Sequence, residues 1–135
     1  MAALPLNAPD LFNAAVGYIK DRYVESRHHV VCALISNGQL YMASHLDTVG
    51  GLDVCAEPIA LSNALSEGNE NFEMLVTVAW DGQESTKPWV ITPCGNCRQI
   101  LSEYAPDLRV IVNESDLKTV LARDLLPYPY VKRLT

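Results

Sequence analysis

Two short stretches of the chain, Met74 to Trp80 (MLVTVAW) and Leu108 to Val112 (LRVIV), are apolar at all but one position each. A strand with one face in water alternates apolar and polar residues, whereas a strand covered on both faces reads as a nearly continuous apolar run. Both stretches are therefore predicted to be inner strands of a sheet that carries helices on each side. This constrains the chain to an α/β fold.

Helix signals occupy four other segments of the chain. The first has apolar residues at helical spacing with Asp10 near its start, and the second is closed by Gly68, a residue that commonly ends helices. We expect helices over Pro9 to about Tyr23, Ala56 to Gly68, Arg98 to Tyr104 and Asp116 to Leu126.

A hairpin pattern precedes the first inner strand. His28 to Ile35 is rich in Val, Ala and Leu, Asn37-Gly38 supplies a turn, and Gln39 to Ala43 follows. A short apolar stretch, Trp89 to Ile91, adds one more strand. We therefore expect a three-layer αβα sandwich around a central mixed sheet of about five strands, with the hairpin first and parallel crossovers later.

Charge and hydropathy restrict the classes of function. The net charge of -6 argues against a protein that grips the phosphate backbone of nucleic acids. No apolar run approaches the ~20 residues that span a bilayer, and the first twelve residues, MAALPLNAPDLF, lack the pattern of a secretory signal. We expect one domain over residues 1–135, a cytoplasmic location and a small-molecule partner, with neither nucleic acid nor membrane as a partner.

A pair of cysteines stands in the segment TPCGNCRQIL, at Cys94 and Cys97. The pair alone suits a redox couple, half of a structural zinc site or half of a catalytic one. Upstream lies Cys55-Ala56-Glu57, and a catalytic zinc keeps three protein ligands and leaves the fourth position to water. The combined pattern C-A-E…P-C-x-x-C is the signature of zinc deaminases, with Cys55, Cys94 and Cys97 as ligands and Glu57 as the general acid and base.

The fourth cysteine, Cys32, lies in the apolar stretch HVVCALI. Free cysteine is among the residue types most often buried, so Cys32 is predicted to be a core residue. The alternative is a structural zinc site closed by all four cysteines. Glu57 separates the two hypotheses, because a structural site has no use for a carboxylate at that position.

The segments ALISNGQLY, CAE, PCGNCRQ and LLPYPY together resemble the cytidine deaminase family, in its small homotetrameric branch with a three-cysteine zinc site. The resemblance implies one Zn²⁺ per chain, attack of zinc-activated water on C4 of a cytosine ring, release of ammonia, and a role in pyrimidine salvage. It also places Arg98 where this branch has an arginine that donates to cysteine sulfur and offsets the negative charge of three thiolates. The alternative for Arg98 is a surface salt bridge.

The substrate side departs from that family. Where the family has an Asn-x-Glu pair for the ribose, this chain has His45 and Asp47 at the same spacing, and His28, followed by another histidine, stands in place of a stacking Phe. The departures resemble the blasticidin S deaminases. The substrate thus stays open between cytidine, deoxycytidine or an N4-modified pyrimidine nucleoside and a cytosine-containing antibiotic.

The resemblance implies two further substrate contacts, at Ala56 and at Tyr130 in LLPYPY. In the tetrameric branch the aromatic residue of that ending reaches the active site of a neighbouring subunit. For His45 and Asp47 the alternative is a pair of loop residues that face solvent. For Tyr130 it is packing against the core of its own subunit.

Overall fold

A central mixed sheet organises the part of the chain that the computed structural model describes, residues 7–132. The strand order is β2-β1-β3-β5-β6, with β4 paired to β3 on the same sheet. The pairing of β3 with β5 is parallel and the other pairings are antiparallel, which confirms a mixed sheet. The strands are β1 Val30–Ser36, β2 Gln39–Ser44, β3 Phe72–Ala79, β4 Trp89–Ile91, β5 Arg109–Ile111 and β6 Thr119–Leu121.

Helices cover both faces of the sheet. Asn7 caps the first helix, its Oδ1 accepting from the N–H of Asp10 at 2.9 Å. One core cluster joins this helix to one face of the sheet, and a second cluster joins the two later helices to the other face, so the predicted three-layer αβα sandwich is confirmed. The helices are α1 Ala8–Arg22, α2 Ala56–Ser66, α3 Gly95–Tyr104 and a 3₁₀ helix, Ala122–Leu125.

The first two strands form the predicted hairpin. Asn37 and Gly38 have φ angles of 51° and 72°, and Ser36 pairs with Gln39 across this two-residue turn. Positive φ at both central positions belongs to the turn type whose twist matches that of the flanking strands. The hairpin therefore sets the register in which the start of β1 meets the segment after β2.

The predicted helix over Asp116 to Leu126 is wrong. The segment instead forms β6, which pairs with β5, and then the short 3₁₀ helix. The Asp116 Oδ1 accepts from the N–H of Lys118 at 3.0 Å, and Leu117 has a φ of 54°. Such a local side-chain turn competes with helix formation and leaves the following residues free to extend the sheet.

The fold brings the starts of α2 and α3 together at one end of the sheet. Cys55 is the N-cap of α2 and Cys94 is the N-cap of α3. Cys32 is fully buried in the core beneath α2 and α3, as predicted for a core residue.

No helix among residues 7–132 is long and apolar enough to cross a membrane. Residues 1–6, part of the segment in which no secretory signal was expected, lie outside the described residues.

Candidate active site

Three cysteines converge where the two helices begin. The Sγ atoms of Cys55 and Cys94 are 3.7 Å apart, and those of Cys94 and Cys97 are 3.5 Å apart. A tetrahedral zinc site with Zn–S bonds of about 2.3 Å has sulfur–sulfur edges of about 3.8 Å. The three sulfurs therefore fit three corners of a zinc site, and both helix N-termini add positive potential that favours thiolates.

The three thiols differ in their acidity. Burial raises the pKa of Cys97 far above its ordinary value and raises that of Cys55 as well. Burial alone would also raise the pKa of Cys94, but hydrogen bonds from the backbone N–H and thiol of Cys97 outweigh it, so this pKa is lowered. Binding of a divalent cation must therefore displace protons from Cys55 and Cys97, and metal affinity depends on pH.

Glu57 places its carboxyl group beside this cysteine triad, defined as Cys55, Cys94 and Cys97. Its Oε1 lies 3.8 Å from the Sγ of Cys97, and the residue is only 4% exposed. Burial raises the pKa of Glu57, and polar groups around it, the Cys97 thiol among them, offset part of that rise. A carboxyl group with a raised pKa exchanges protons more readily near neutral pH than an exposed one.

The guanidinium of Arg98 takes different partners from those predicted. Nε donates to the carbonyl oxygen of Pro93 at 2.8 Å, Nη1 to that of Leu125 at 2.9 Å, and Nη2 to Oγ1 of Thr92 at 3.2 Å. The guanidinium is a planar group with five N–H donors at fixed angles, so it can bind several oxygen acceptors at once. Here those acceptors are oxygens, in place of the expected cysteine sulfur. Arg98 thereby ties the residue before Cys94 to the 3₁₀ helix. Within residues 7–132 it forms no salt bridge.

A cleft of about 260 Å³ opens beside the cysteine triad. One wall carries Cys55, Ala56, Glu57 and Cys94, and Ile91 and Thr92 adjoin them. The facing wall carries His29, His45, Asp47 and Asp53. The structure thus brings the predicted residues Ala56, His45 and Asp47 into one cleft with the cysteine triad.

The two ring nitrogens of His45 have different neighbours. Its Nε2 accepts from the backbone N–H of His29 at 3.0 Å, so in the neutral ring Nδ1 carries the hydrogen. Nδ1 lies 3.3 Å from Oδ1 of Asp47. Burial, followed by the neighbouring His29, lowers the pKa of His45 and favours its neutral form. His45 is therefore held by the backbone of His29 and lies beside the carboxylate of Asp47.

His29, His45 and Asp47 also form a compact group of potential metal ligands, whose ligand atoms lie within 4.8 Å of one another. The Nε2 of His45 accepts from the backbone N–H of His29, so Nδ1 is the one nitrogen of this ring that could bind a cation.

His29 lines the cleft, a position that sequence reasoning assigned to its neighbour His28. The Nδ1 of His28 instead faces the carbonyl oxygen of His45 at 3.1 Å and Oγ of Ser44 at 3.2 Å. The His29 ring meets the His45 ring edge-on, with centroids 4.3 Å apart, and its Nδ1 lies 3.7 Å from Oδ2 of Asp47. Alternation of side chains at the start of β1 is the signal that distinguishes the two histidines.

Tyr130 does not pack into the core of its own chain. It is 75% exposed, and its carbonyl oxygen accepts from Nε2 of Gln99 at 3.0 Å. Its neighbour Tyr128 is fully exposed. The alternative of packing against the same subunit is therefore not observed.

Comparison with known proteins places these residues in a wider context. The sequence profile described as "Cytidine and deoxycytidylate deaminase zinc-binding region" matches residues 7–113, a range that includes the cysteine triad and Glu57. A blasticidin-S deaminase of Bacillus cereus is 33% identical over 129 residues, covering 91% of each chain. A cytidine deaminase of Halalkalibacterium halodurans is 32% identical over 107 residues, covering 76% of each chain.

Crystal structures of other proteins have a similar fold. A crystal structure of cytidine deaminase from Burkholderia pseudomallei superposes with a TM-score of 0.68 at 28% identity. The match covers 87% of this chain and 94% of that one. The similarity therefore extends over nearly the whole layered sheet.

Proposed function

The chain belongs to the cytidine and deoxycytidylate deaminase family, and we propose that it is a zinc-dependent hydrolase of cytosine nucleosides. Its reaction would convert cytidine, deoxycytidine or a related, N4-modified pyrimidine nucleoside into the uridine form, with release of ammonia or, where N4 is modified, of the substituted amine. The observation that carries this proposal is the buried Glu57 carboxyl, 3.8 Å from a sulfur of the cysteine triad and on the wall of a cleft. A structural zinc site gives no reason to bury a carboxyl group there.

Cys55, Cys94 and Cys97 would hold one Zn²⁺ per chain. Zinc in such a three-ligand site supplies a water molecule that is acidic enough to react near neutral pH. Arg98 supports this set through the carbonyl oxygen of Pro93, directly before Cys94, and its positive charge offsets part of the charge of three thiolates.

Glu57 would move the protons of the reaction. Hydrolysis adds water at C4 of the cytosine ring and breaks the bond between C4 and the amino nitrogen. The Glu57 carboxylate accepts a proton from the water and gives it to ring N3, and then delivers the second proton to the departing amine. Burial of Glu57 supports this role, because a raised pKa brings the acid and base forms closer in energy at neutral pH.

The facing wall would hold the rest of the substrate. Asp47, 3.3 Å from the Nδ1 of His45, can accept a hydrogen bond from a sugar hydroxyl, and the ring of His29 can stack on a planar group. The exposed side chain of Tyr130 can reach a neighbouring subunit, which supports the proposal of a homotetramer with a site completed in trans. The proposal places this homotetramer in the cytoplasm. His28 supports the wall from behind, through the carbonyl oxygen of His45.

A second candidate is a blasticidin S-type aminohydrolase. It is favoured by 33% identity, over 91% of each chain, to a blasticidin-S deaminase. The two candidates share the reaction at C4 and differ in the group that occupies the wall of His29 and Asp47.

A substrate screen tests both candidates. Zinc-loaded protein is incubated with cytosine, cytidine, deoxycytidine, CMP, an N4-methylated cytidine and blasticidin S. The release of ammonia is measured, or of methylamine from the N4-methylated cytidine. We expect release from cytidine, deoxycytidine or blasticidin S, and kcat/KM ranks them. The Glu57→Gln variant is the control for contaminating deaminase. Release from none of the compounds would contradict the proposed function.

A further inference from the structure

One buried hydroxyl group in the described part of the chain has no conventional partner. Thr77 is 1% exposed, and its Oγ1 is the one buried side-chain nitrogen or oxygen among residues 7–132 without a hydrogen bond. Buried polar groups in folded proteins are almost always paired, since an unpaired one costs stability. An apolar residue of the same shape would serve the core better, so the hydroxyl calls for an explanation.

The position of Thr77 places that hydroxyl beneath the cleft. In the sheet, Thr77 pairs with Cys32 of β1 on one side and with Ile91 of β4 on the other. Paired residues in neighbouring strands point to the same face, and Ile91 lines the cleft. Leu75, two residues earlier on the same face, packs in the core under α2 and α3. Thr77 therefore faces the helix layer that carries Glu57.

Two groups on this side of the sheet can accept a hydrogen bond from the Thr77 hydroxyl. One is the buried carboxyl group of Glu57 in the first turn of α2, and the other is the thiol of Cys32, which pairs with Thr77 across the strands. A hydroxyl at this place favours the charged form of each group, against the effect of burial on its pKa. The Cys32 thiol is fully buried and stays protonated, which makes it a weak acceptor. A carboxylate is the stronger acceptor, because hydrogen bonds to charged oxygens are about twice as strong as neutral ones.

We propose that Thr77 is a positioning residue for Glu57: its hydroxyl, buried on the sheet beneath the cleft, donates to the carboxylate and holds it against the cysteine triad. The inference rests on the proposed function only for its kinetic consequence, since the coupling between the two side chains can be measured without turnover. A proton-carrying carboxylate works best when its orientation is fixed before the substrate arrives, and a single donor below it leaves the cleft side free. Thr77 touches neither substrate nor metal in this arrangement.

Two matched variants test the hydroxyl separately from the shape of the side chain. Thr77→Val keeps the shape and removes the hydroxyl, whereas Thr77→Ser keeps the hydroxyl and removes a methyl group. For Thr77→Val we expect kcat to fall about tenfold, the value of one charge-assisted hydrogen bond. KM and the zinc content should be unchanged, and the Tm should fall, because the buried carboxylate loses a donor. Thr77→Ser should keep kcat close to that of the wild type.

Two kinetic outcomes would overturn the proposal. One is a Thr77→Val enzyme whose kcat is unchanged. The other is an equal loss of kcat in Thr77→Val and Thr77→Ser, which would assign the effect to packing.

A stability measurement decides the contact without any turnover. In zinc-loaded protein, the shift in Tm caused by Thr77→Val should differ between the wild-type and Glu57→Ala backgrounds, because the two side chains interact. The same shift should change less in the Cys32→Ala background, the matched control, because the thiol packs beside Thr77 without accepting from its hydroxyl. Additive shifts with Glu57→Ala, or a coupling to Cys32 at least as large as that to Glu57, would overturn the proposal. A wild type that releases no ammonia would refute the proposed function. The coupling between Thr77 and Glu57 measured from Tm would be unaffected by that outcome.

Discussion

The Sγ atom of Cys97 lies 3.8 Å from Oε1 of Glu57, although the two residues are 40 positions apart in the chain. Cys97 belongs to the first turn of α3 and Glu57 to the first turn of α2. The contact exists because both helices begin at the same end of the sheet. In the proposed function the thiol would hold the metal and the carboxyl group would carry protons, and this contact would let both act on the same water molecule.

Zinc content should distinguish the cysteine triad, the proposed metal ligands, from the buried core residue Cys32. Cys94→Ala removes a member of the cysteine triad, and we expect loss of both zinc and deaminase activity. Cys32→Ala is the matched control, since Cys32 is buried in the core away from the triad, and it should retain one zinc per chain. Atomic absorption on purified, dialysed protein measures the ratio. Retention of zinc by Cys94→Ala together with its loss in Cys32→Ala would contradict the assignment.

Removal of the Arg98 guanidinium should weaken the metal site. In Arg98→Ala, the carbonyl oxygens of Pro93 and Leu125 lose their donors, and we expect zinc affinity to fall by about tenfold or more, as for other groups that support metal ligands. Arg98→Lys should restore little of the zinc affinity, because an ammonium group cannot reproduce the planar N–H donors of the guanidinium. Competition with a chelator measures the affinity. Arg123→Ala, at an exposed arginine that pairs with Asp107, is the control and should bind zinc as the wild type does.

Substitution of Asp47 should act mainly on substrate binding. Asp47→Asn removes the charge that faces the cleft and leaves the cysteine triad intact, so KM should rise while kcat changes little. His45→Ala should also raise KM, since it removes the ring that lies beside the Asp47 carboxylate. Steady-state kinetics on the best substrate of the screen measures both effects. Kinetic constants unchanged in both variants would remove this pair from the substrate site.

The buried His45 should make stability depend on pH. Its pKa is lowered in the folded protein, so the unfolded chain binds more protons once the pH falls below about 6.5. Stability should therefore decrease as the pH falls from about 6.5 to the pKa of the folded state, and change little from this source above it. His45→Gln offers Oε1 to the N–H of His29 without titrating. Urea denaturation at several pH values should show a smaller loss for this variant than for the wild type; equal losses would contradict the assignment.

The features that could be predicted from the sequence depend on short-range patterns. The cysteine triad and Glu57 stand in two compact motifs, and the chemistry of zinc requires such residues to meet. The hairpin followed from Asn37-Gly38, whose positive φ angles few other residue pairs adopt readily.

The features that could not be predicted depend on tertiary register. Whether His28 or His29 enters the cleft is decided by the residue at which β1 begins to pair, and the sequence HHV does not fix that residue. The partners of Arg98 include the carbonyl oxygen of Leu125, 27 residues away. The unpaired hydroxyl of Thr77 becomes visible only once β1, β3 and β4 are aligned.

The measurement that tests the central claim most directly is the zinc content and turnover of Glu57→Gln beside the wild type. The amide keeps the shape of the side chain and loses the ability to carry protons. We predict one zinc per chain in both proteins, ammonia release from a cytosine nucleoside by the wild type, and a loss of kcat of at least about a hundredfold in the variant. A Glu57→Gln protein that retains zinc and deaminates at the wild-type rate would contradict the account.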